Sequence, residues 1–532
     1  MSNQAKPVLI AGEWRAADAV SVFHPNNPLT EQPTGETYPV SSLRDVEAVV
    51  VAASEASDQL LSVSPETKAE FLERYAARIE ARREAIVEMA HLETAYPPET
   101  RLDGIELPRT TNQLRQAAQA ACERSWTLPA INTELNIRSM YAALEGGVAV
   151  FGPNNFPLAF NSVSGGDFAA AIAAGNPVIS KANSSHPGTT RLLAEEAFEA
   201  SKETGLPDAT VQLIYRTEHA VGERLVSHPL IGATGYTGSR RAGIVLKAAA
   251  DKAGKPIYLE LSSINPVVVL PGAIEERAEE IADEFLTSCL LGTGQFCTNP
   301  GIILLMKGDA TDRFLEIAKE KFANAPVGTL LSEGVLNNLA GGVEALKEAG
   351  AELLVGGESG GGAGYSYQNT LLQVSGDQFL GEPEALQQEA FGNESLAVVV
   401  DDIAQAKAVV KSFEGNLTGC IYSAQNSSDD GLYDELAPIL RPKVGRLLND
   451  KMPTGVAVVA AMNHGGPYPA TGHPGFTAVG IPASLRRFAM LQCFDNLREH
   501  RLPPELRDEN PTGTLWRLID DKWSQGNVNA SE

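Results

Sequence analysis

The sequence predicts an α/β protein of two open domains with mostly parallel sheets, and three observations lead there. From Gly146 onward, short apolar runs alternate with helical stretches, the pattern of parallel strands covered by helices on both faces. The alternation occurs twice, with an interruption at 261–265 that marks a crossing between domains. The 532 residues suffice for two large domains with appendages, set against the ~150 residues of an average one.

The segment from about 45 to 126 reads as helical, because Ala69, Leu72, Tyr75, Ala76 and Ile79 recur at helical spacing with Glu and Arg between them. In the first α/β series, strands are expected at 147–151, 177–181, 210–215, 231–236 and 256–261. Helices are expected between them, near 162–174, 188–203, 218–227 and 239–252. The second series opens with a strand at 265–270, passes through a helix at 275–290 and a loop holding Cys297, and continues with strands near 302–306, 396–400 and 418–422. Pro271-Gly272 reads as a turn. The Gly-rich run 356–364 lacks the Lys-Ser/Thr and the strand–helix frame of a phosphate loop, so it reads as a mobile surface loop.

Composition excludes several functions. Hydrophobic residues make up 43% and charged residues 20%, as in a globular protein with large cores. A formal net charge of −25 repels phosphate backbones and anionic bilayers, so neither nucleic acid nor membrane is an expected partner. Residues 1–10 lack the pattern of a signal peptide, and no apolar stretch approaches the ~20 residues that span a bilayer. The five cysteines (122, 289, 297, 420, 493) show neither a disulfide framework nor metal spacing. A cytoplasmic protein with reduced thiols and no metal is expected.

Three segments carry chemistry. Cys297 follows Gly292-Thr293-Gly294-Gln295-Phe296, small and flexible residues that suggest an exposed loop with a reactive thiol. Glu260 lies at the end of the apolar strand Pro256-Ile257-Tyr258-Leu259, where a carboxylate can serve as base. Gly152-Pro153-Asn154-Asn155-Phe156-Pro157 is a strand-to-helix crossing, the place where open α/β sheets bind ligands. Alone, Asn155 is a turn residue; beside a cysteine loop, its amide and the Cys297 N–H can hold an oxyanion. Thr237-Gly238-Ser239 also crosses from strand to helix. It offers either a phosphate site at a helix N-terminus or a simple cap by Ser239.

These motifs come in an order that resembles the aldehyde dehydrogenase superfamily: Asn-Asn-Phe-Pro, the strand end at Lys181, Thr-Gly-Ser, Leu-Glu-Leu, Gly-Gln-Phe-Cys and Glu389-Ala390-Phe391-Gly392. The likeness covers nearly the whole chain. It is greatest toward the 2-oxoglutarate semialdehyde (2,5-dioxopentanoate) dehydrogenases and related NADP-dependent long-chain enzymes, which His464 to Thr471 and the ending from Asn510-Pro511 to Leu518 also resemble. The resemblance implies the aldehyde dehydrogenase fold, with 1–130 and 150–261 binding dinucleotide and 262–470 carrying the nucleophile. It assigns 131–149, including a hairpin near 131–145, and 471–532 to oligomerisation as a homodimer or homotetramer.

By the same resemblance, Cys297 attacks the aldehyde, Asn155 holds the oxyanion, and Glu260 activates water and helps deprotonate the thiol. Lys181 and Glu389 would hold the two riboses, Gly238 and Ser239 would approach the pyrophosphate, and Phe391 would flank the nicotinamide. The chain departs from the family at Gly392-Asn393, which touches only the local turn, and at Ser184. NAD-preferring members tend to carry Glu at the position of Ser184. Such a carboxylate would repel a 2′-phosphate by up to ~4 kcal/mol at 4 Å and effective dielectric 20, and each ~1.4 kcal/mol is tenfold in binding. Ser184 removes that penalty, and Arg216 is either the phosphate's partner or a solvated surface residue. NADP is therefore the expected cofactor, with NAD as the alternative.

Other residues receive plainer readings. Cys289 is expected in the core, and Cys122, Cys420 and Cys493 lack catalytic context. His186, His464 and His473 lack metal-ligand spacing; His464 either lines the substrate entrance or sits in a turn. Arg486 and Arg487 face a subunit interface or solvent. The cation that a semialdehyde's far carboxylate needs is not placed. The favoured activity is oxidation of 2-oxoglutarate semialdehyde. Its rivals are the same chemistry on a long-chain or other aliphatic aldehyde, and a non-catalytic dinucleotide-binding protein. An acylating variant is disfavoured by Glu260.

Overall fold

In the computed structural model, which describes residues 4–528, aliphatic runs form the centre of the first sheet. Gly147–Phe151, Val178–Lys181, Val211–Ile214, Ile231–Thr237 and Ile257–Glu260 are parallel and almost wholly buried, as strands covered on both faces must be. All five fall where the alternation predicts them. Across the sheet they run Ile257–Glu260, Ile231–Thr237, Gly147–Phe151, Val178–Lys181, Val211–Ile214. The chain thus builds outward from Gly147–Phe151 in one direction and then returns to build in the other. The crevice at such a reversal takes ligands in open α/β sheets, and here it lies between the segments after Phe151 and Thr237. Val8–Ile10 and Glu13–Arg15 extend the sheet antiparallel beyond Val211–Ile214. Three-residue strands are too short for periodicity to register.

The helical region divides into Leu43–Leu60, Pro65–Ala81, Arg83–Thr94, a π-helical turn Pro98–Glu106 and Leu107–Glu123. Ser42 and Ser64 cap the first two. Phe71 and Tyr75 of the second helix pack on Phe168, joining this layer to the sheet's helices. The helix expected at 162–174 is shorter, Gly166–Ala174. Asn161 first turns the chain, its Nδ2 donating to the Pro157 carbonyl at 2.7 Å and its Oδ1 accepting from Val163 N–H at 3.1 Å.

The second sheet runs Glu352–Val355, Thr370–Ser375, Glu394–Val400, Ile302–Met306, Val267–Val269, Asn416–Tyr422, Val444–Asn449. All pairs are parallel except the first. Pro271-Gly272 is not the expected turn: it opens the helix Pro271–Leu290. Proline's missing N–H is idle in a first helical turn, and Asp429 caps it by accepting from Gly272 N–H at 3.0 Å and Ala273 N–H at 2.9 Å. The run 356–364 connects Glu352–Val355 to Thr370–Ser375 on the surface.

A third, five-stranded sheet is ordered Ala489–Asp495, Ile137–Ala143, Ala130–Asn132, Arg517–Ile519, Lys522–Ser524. The expected hairpin is present as the antiparallel pair Ala130–Asn132 and Ile137–Ala143. Among the described residues no helix is long and apolar enough to cross a membrane.

Candidate active site

The segment after Phe151 is held rigidly. His186, buried, donates from Nε2 to the Pro153 carbonyl at 2.9 Å, and burial pushes its imidazole down to about 4, so it stays neutral. Asn183 Nδ2 donates to the Gly152 carbonyl at 3.1 Å. Asn155 is buried, and its Nδ2 donates to the Gln295 carbonyl at 2.8 Å. The Asn155 carbonyl accepts from Arg101 Nη2 at 3.3 Å. Arg101 is itself gripped by the Phe156 and Phe296 rings, with centroids 4.4 and 5.0 Å away, and faces Glu106 at 3.3 Å. Arg101, absent from the sequence reading, thereby locks the Asn155 turn onto the cysteine loop.

That loop is not the exposed one expected. Phe296 and Thr298 are buried, Gln295 is fully enclosed, and Cys297 between them is half-buried. Gly292, Thr293 and Gly294 all take left-handed conformations, with φ of 58°, 59° and 68°. A Cβ on Gly294 would lie 2.0 Å from the Gly392 carbonyl oxygen, so only glycine allows the Glu389–Gly392 segment this close. Asn265, at φ 45°, donates from Nδ2 to the carbonyls of Cys297 and Asn299, each at 2.9 Å. Small residues in this loop therefore serve tight curvature and not mobility.

Glu260 ends its strand beside the chain's tail, which returns to it: Leu261 N–H donates to the Ala470 carbonyl at 2.8 Å. This return delivers His464, buried, to the thiol. His464 Nε2 lies 2.7 Å from Glu260 Oε1 and 3.4 Å from Cys297 Sγ. His464 is therefore neither a turn residue nor merely at an entrance. Sequence spacing hid it, since 204 positions separate it from Glu260. The three donor atoms lie within 4.8 Å of one another, a set chemically able to hold a metal, although the 2.7 Å contact is a hydrogen bond along which a proton can pass. Burial, then the negative charge of Glu260, pushes the Cys297 thiol well above its ordinary value, with Arg109 acting in the opposite sense. Burial alone would raise the Glu260 carboxyl, but its His464 partner brings it below the usual carboxylate value.

The expected cofactor residues occupy two places. Glu389 and Phe391 line a pocket with Ser263, Gly294 and Phe296, beside the cysteine loop. Glu389 Oε1 accepts from Ser263 N–H at 3.3 Å, and burial raises its carboxyl to about 7. Lys181, half-buried at its strand end, has Nζ 6.0 Å from the centre of the Phe151 ring. Burial first, and the nearby Arg216 charge second, lower Lys181 to about 8. Arg216 is exposed, and Ser184 is half-buried on the turn after Lys181. Gly238 N–H donates to the Glu260 carbonyl at 3.1 Å. A Cβ on Gly238 would meet the Tyr236 hydroxyl at 2.7 Å. Ser239 caps the helix Arg240–Lys252, its hydroxyl accepting from Ala242 N–H at 3.4 Å. Elsewhere, Cys289 and Cys420 are buried. Arg487, expected at an interface or in solvent, is buried in an ion pair with Asp167 at 2.7 Å.

A sequence profile of the Aldehyde dehydrogenase family matches residues 14–436. The chain belongs to this family. As a member, it is an oxidoreductase acting on aldehydes. It is 36% identical to alpha-ketoglutaric semialdehyde dehydrogenase 2 of Azospirillum brasilense, over 97% of this chain and 98% of the relative. It is also 36% identical to the alpha-ketoglutaric semialdehyde dehydrogenase of Acinetobacter baylyi, over 99% and 100%. Among solved structures, lactaldehyde dehydrogenase of Escherichia coli superposes with a TM-score of 0.80 at 22% identity, covering 93% of this chain and 99% of that one. A mutant aldehyde dehydrogenase C of Pseudomonas syringae, solved with NAD+ and octanal, gives 0.80 at 20% identity, covering 94% and 99%. At these identities the structural likeness establishes the aldehyde dehydrogenase fold.

Proposed function

We propose that this aldehyde dehydrogenase oxidises 2-oxoglutarate semialdehyde to 2-oxoglutarate with NADP, through a thioester on Cys297. The observation that carries the chemistry is the convergence of the Cys297, His464 and Glu260 donor atoms within 4.8 Å. Support for the substrate comes from two near-full-length relatives at 36% identity that are named for it.

Cys297 Sγ attacks the aldehyde carbon, and its proton leaves through His464 Nε2 toward Glu260. Asn155 Nδ2 keeps one N–H beyond its bond to Gln295, and with the Cys297 N–H it holds the resulting oxyanion. A bound dinucleotide supplies the hydride acceptor. Glu260 releases that proton to solvent, its ionised form being favoured by His464, and then takes a proton from water attacking the thioester carbonyl, so that the acid leaves and Cys297 is freed as thiolate.

The residues fit a phosphorylated dinucleotide. Lys181 and Arg216 lie close enough for one charge to depress the other, and neither forms an ion pair among the described residues. Two cations without an ion pair, Lys181 standing three residues before Ser184, suit a 2′-phosphate. Lys181 and Glu389 would hold the riboses, Phe391 the nicotinamide side, and Gly238 with Ser239 the pyrophosphate. On this reading the first sheet is the dinucleotide-binding unit and the second carries the nucleophile. The five-stranded sheet makes a homodimer or homotetramer, in the cytoplasm.

Aldehydes graded by length and terminal charge, each assayed with NADP and with NAD, test the proposal. The highest kcat/KM should fall on 2-oxoglutarate semialdehyde with NADP, and Cys297→Ser should abolish turnover. A maximum on an uncharged aliphatic aldehyde would overturn the substrate, and an NAD preference would overturn the cofactor.

A further inference from the structure

A semialdehyde ending in a carboxylate brings a negative charge into the crevice, and the group receiving it must be cationic, enclosed and unengaged. Arg109, in the helix Leu107–Glu123, is half-buried and keeps one edge of its guanidinium unengaged. Its Nη1 donates to the Val456 carbonyl, while Nε and Nη2 are both buried without a hydrogen-bond partner. Those two N–H groups share one edge of the planar guanidinium, the edge that grips a carboxylate through two parallel bonds. Buried donors without acceptors are uncommon in folded chains and call for a reason.

No carboxylate among the described residues supplies one. Glu106 is committed elsewhere: Oε1 accepts from Leu158 N–H at 2.8 Å and Ala159 N–H at 3.0 Å, and Oε2 faces Arg101 Nη1 at 3.3 Å. Arg446, another arginine whose charge reaches Cys297, also has a buried Nε without a partner, but the Nη2 on that same edge is engaged. Its Nη2 donates to the carbonyls of Pro453 and Gly455 at 2.7 and 3.0 Å.

The position of Arg109 matches its chemistry. Its Cζ lies 5.1 Å from the centre of the Phe160 ring. The Phe160 ring meets His464 edge-on with centroids 6.0 Å apart, and His464 Nε2 is 3.4 Å from Cys297 Sγ. The guanidinium is thus one aromatic ring removed from the groups around the thiol. A short aldehyde bound to Cys297 along Phe160 would end there.

We propose that Arg109 is the specificity-determining residue of this site, its free Nε–Nη2 edge taking the terminal carboxylate of the aldehyde as a side-on bidentate pair. This rests on the semialdehyde reading and assigns the cation that reading requires.

The test is the ratio of kcat/KM for 2-oxoglutarate semialdehyde to that for pentanal, an uncharged five-carbon aldehyde. In Arg109→Met the ratio should fall ~10²-fold or more, carried by KM of the charged aldehyde. Arg109→Lys should recover only part, since an ammonium supplies charge without the fork. Arg446→Met should leave the ratio near that of the wild type. A second readout needs no turnover: 2-oxoglutarate should slow alkylation of Cys297 by iodoacetamide in the wild type and not in Arg109→Met. The assignment is overturned if Arg109→Met keeps the wild-type ratio and protection, or if Arg446→Met lowers the ratio as much. A wild type that shows no preference for the charged aldehyde sinks the semialdehyde reading itself, a result distinct from a preference that survives the substitution.

Discussion

Cys297 sits in surroundings that oppose its own reactivity. Burial and the Glu260 charge push its thiol above the ordinary value, and an ordinary thiol of pKa ~8.5 is already mostly protonated at neutral pH. A nucleophile placed this way needs a partner that takes its proton during attack, and His464 Nε2 is 3.4 Å from the sulfur. One ring nitrogen cannot both donate to Glu260 and accept from the thiol. Transfer therefore requires the His464 proton to move onto Glu260 as the thiol's arrives. Replacing His464 by Ala should lower kcat/KM at neutral pH by ~10²–10⁴, the usual contribution of a positioned base. The sign of the pH dependence follows from the raised thiol: protonated below its pKa and ionised above it, the unaided sulfur becomes reactive only as pH rises. The His464→Ala enzyme should thus regain activity toward alkaline pH, its rising limb displaced upward from that of the wild type. Following formation of the reduced cofactor across pH checks this, and an undisplaced limb would mean that Glu260 takes the proton unaided.

At the scale of elements, the strands of the first sheet were legible because each is a short apolar run between turn residues. The partners of those strands were legible only as an order of motifs. Nothing local in Val444–Asn449 or Thr370–Ser375 signals the second sheet, since their neighbours come from distant segments. Cys297 and Glu260 are legible because each stands in an unusual local context, and Asn155 only in combination with the cysteine loop. His464, Arg101, Asn265 and Arg109 are not, because each acquires its role only through a contact made in the folded chain. The glycines of the cysteine loop suggest flexibility in the sequence, whereas in the fold they serve tight curvature and close approach. Gly294→Ala tests the corrected view: a Cβ at 2.0 Å from a backbone oxygen, at φ 68°, has no room to relax. It should lower stability by more than ~1 kcal/mol and lower kcat at temperatures where the protein remains folded, as measured by denaturant unfolding and steady-state assay. Lys181, lowered to about 8 by burial and Arg216, gives the dinucleotide crevice its own pH signature. Its charge is present below that value and lost above it, so the Kd for NADP should weaken as pH rises through about 8. Lys181→Arg should remove that inflection, because guanidinium stays charged. Fluorescence titration of NADP at graded pH reads both outcomes.

Across the whole molecule, the five-stranded sheet ends in a strand that lacks a partner on its outer side among the described residues. Ala489–Asp495 pairs only with Ile137–Ala143 and terminates the sheet. Met490 and Leu491 are 45% and 58% exposed on adjacent positions of this strand, and neighbouring residues point to opposite faces. Both faces of the edge therefore show apolar side chains, together with a row of free backbone donors and acceptors. Chains normally shield such an edge with charge, proline or a covering element. Residues 489–494 offer none of these, which leaves a second copy of the chain as the simplest cover. An antiparallel pairing of two such strands about a twofold axis is self-complementary. Opposing it is the formal net charge of −25 on each chain, whose repulsion salt screens within about 8 Å at physiological ionic strength. The wild type should therefore sediment as a dimer or larger assembly, with association tightening as salt is raised. Leu491→Asp places a further negative charge in the contact and should shift the equilibrium toward monomer, with the effect largest at low salt. Sedimentation velocity of both proteins at two salt concentrations decides the matter, and a wild type that is monomeric at micromolar concentration in either buffer removes the edge strand from the account of assembly.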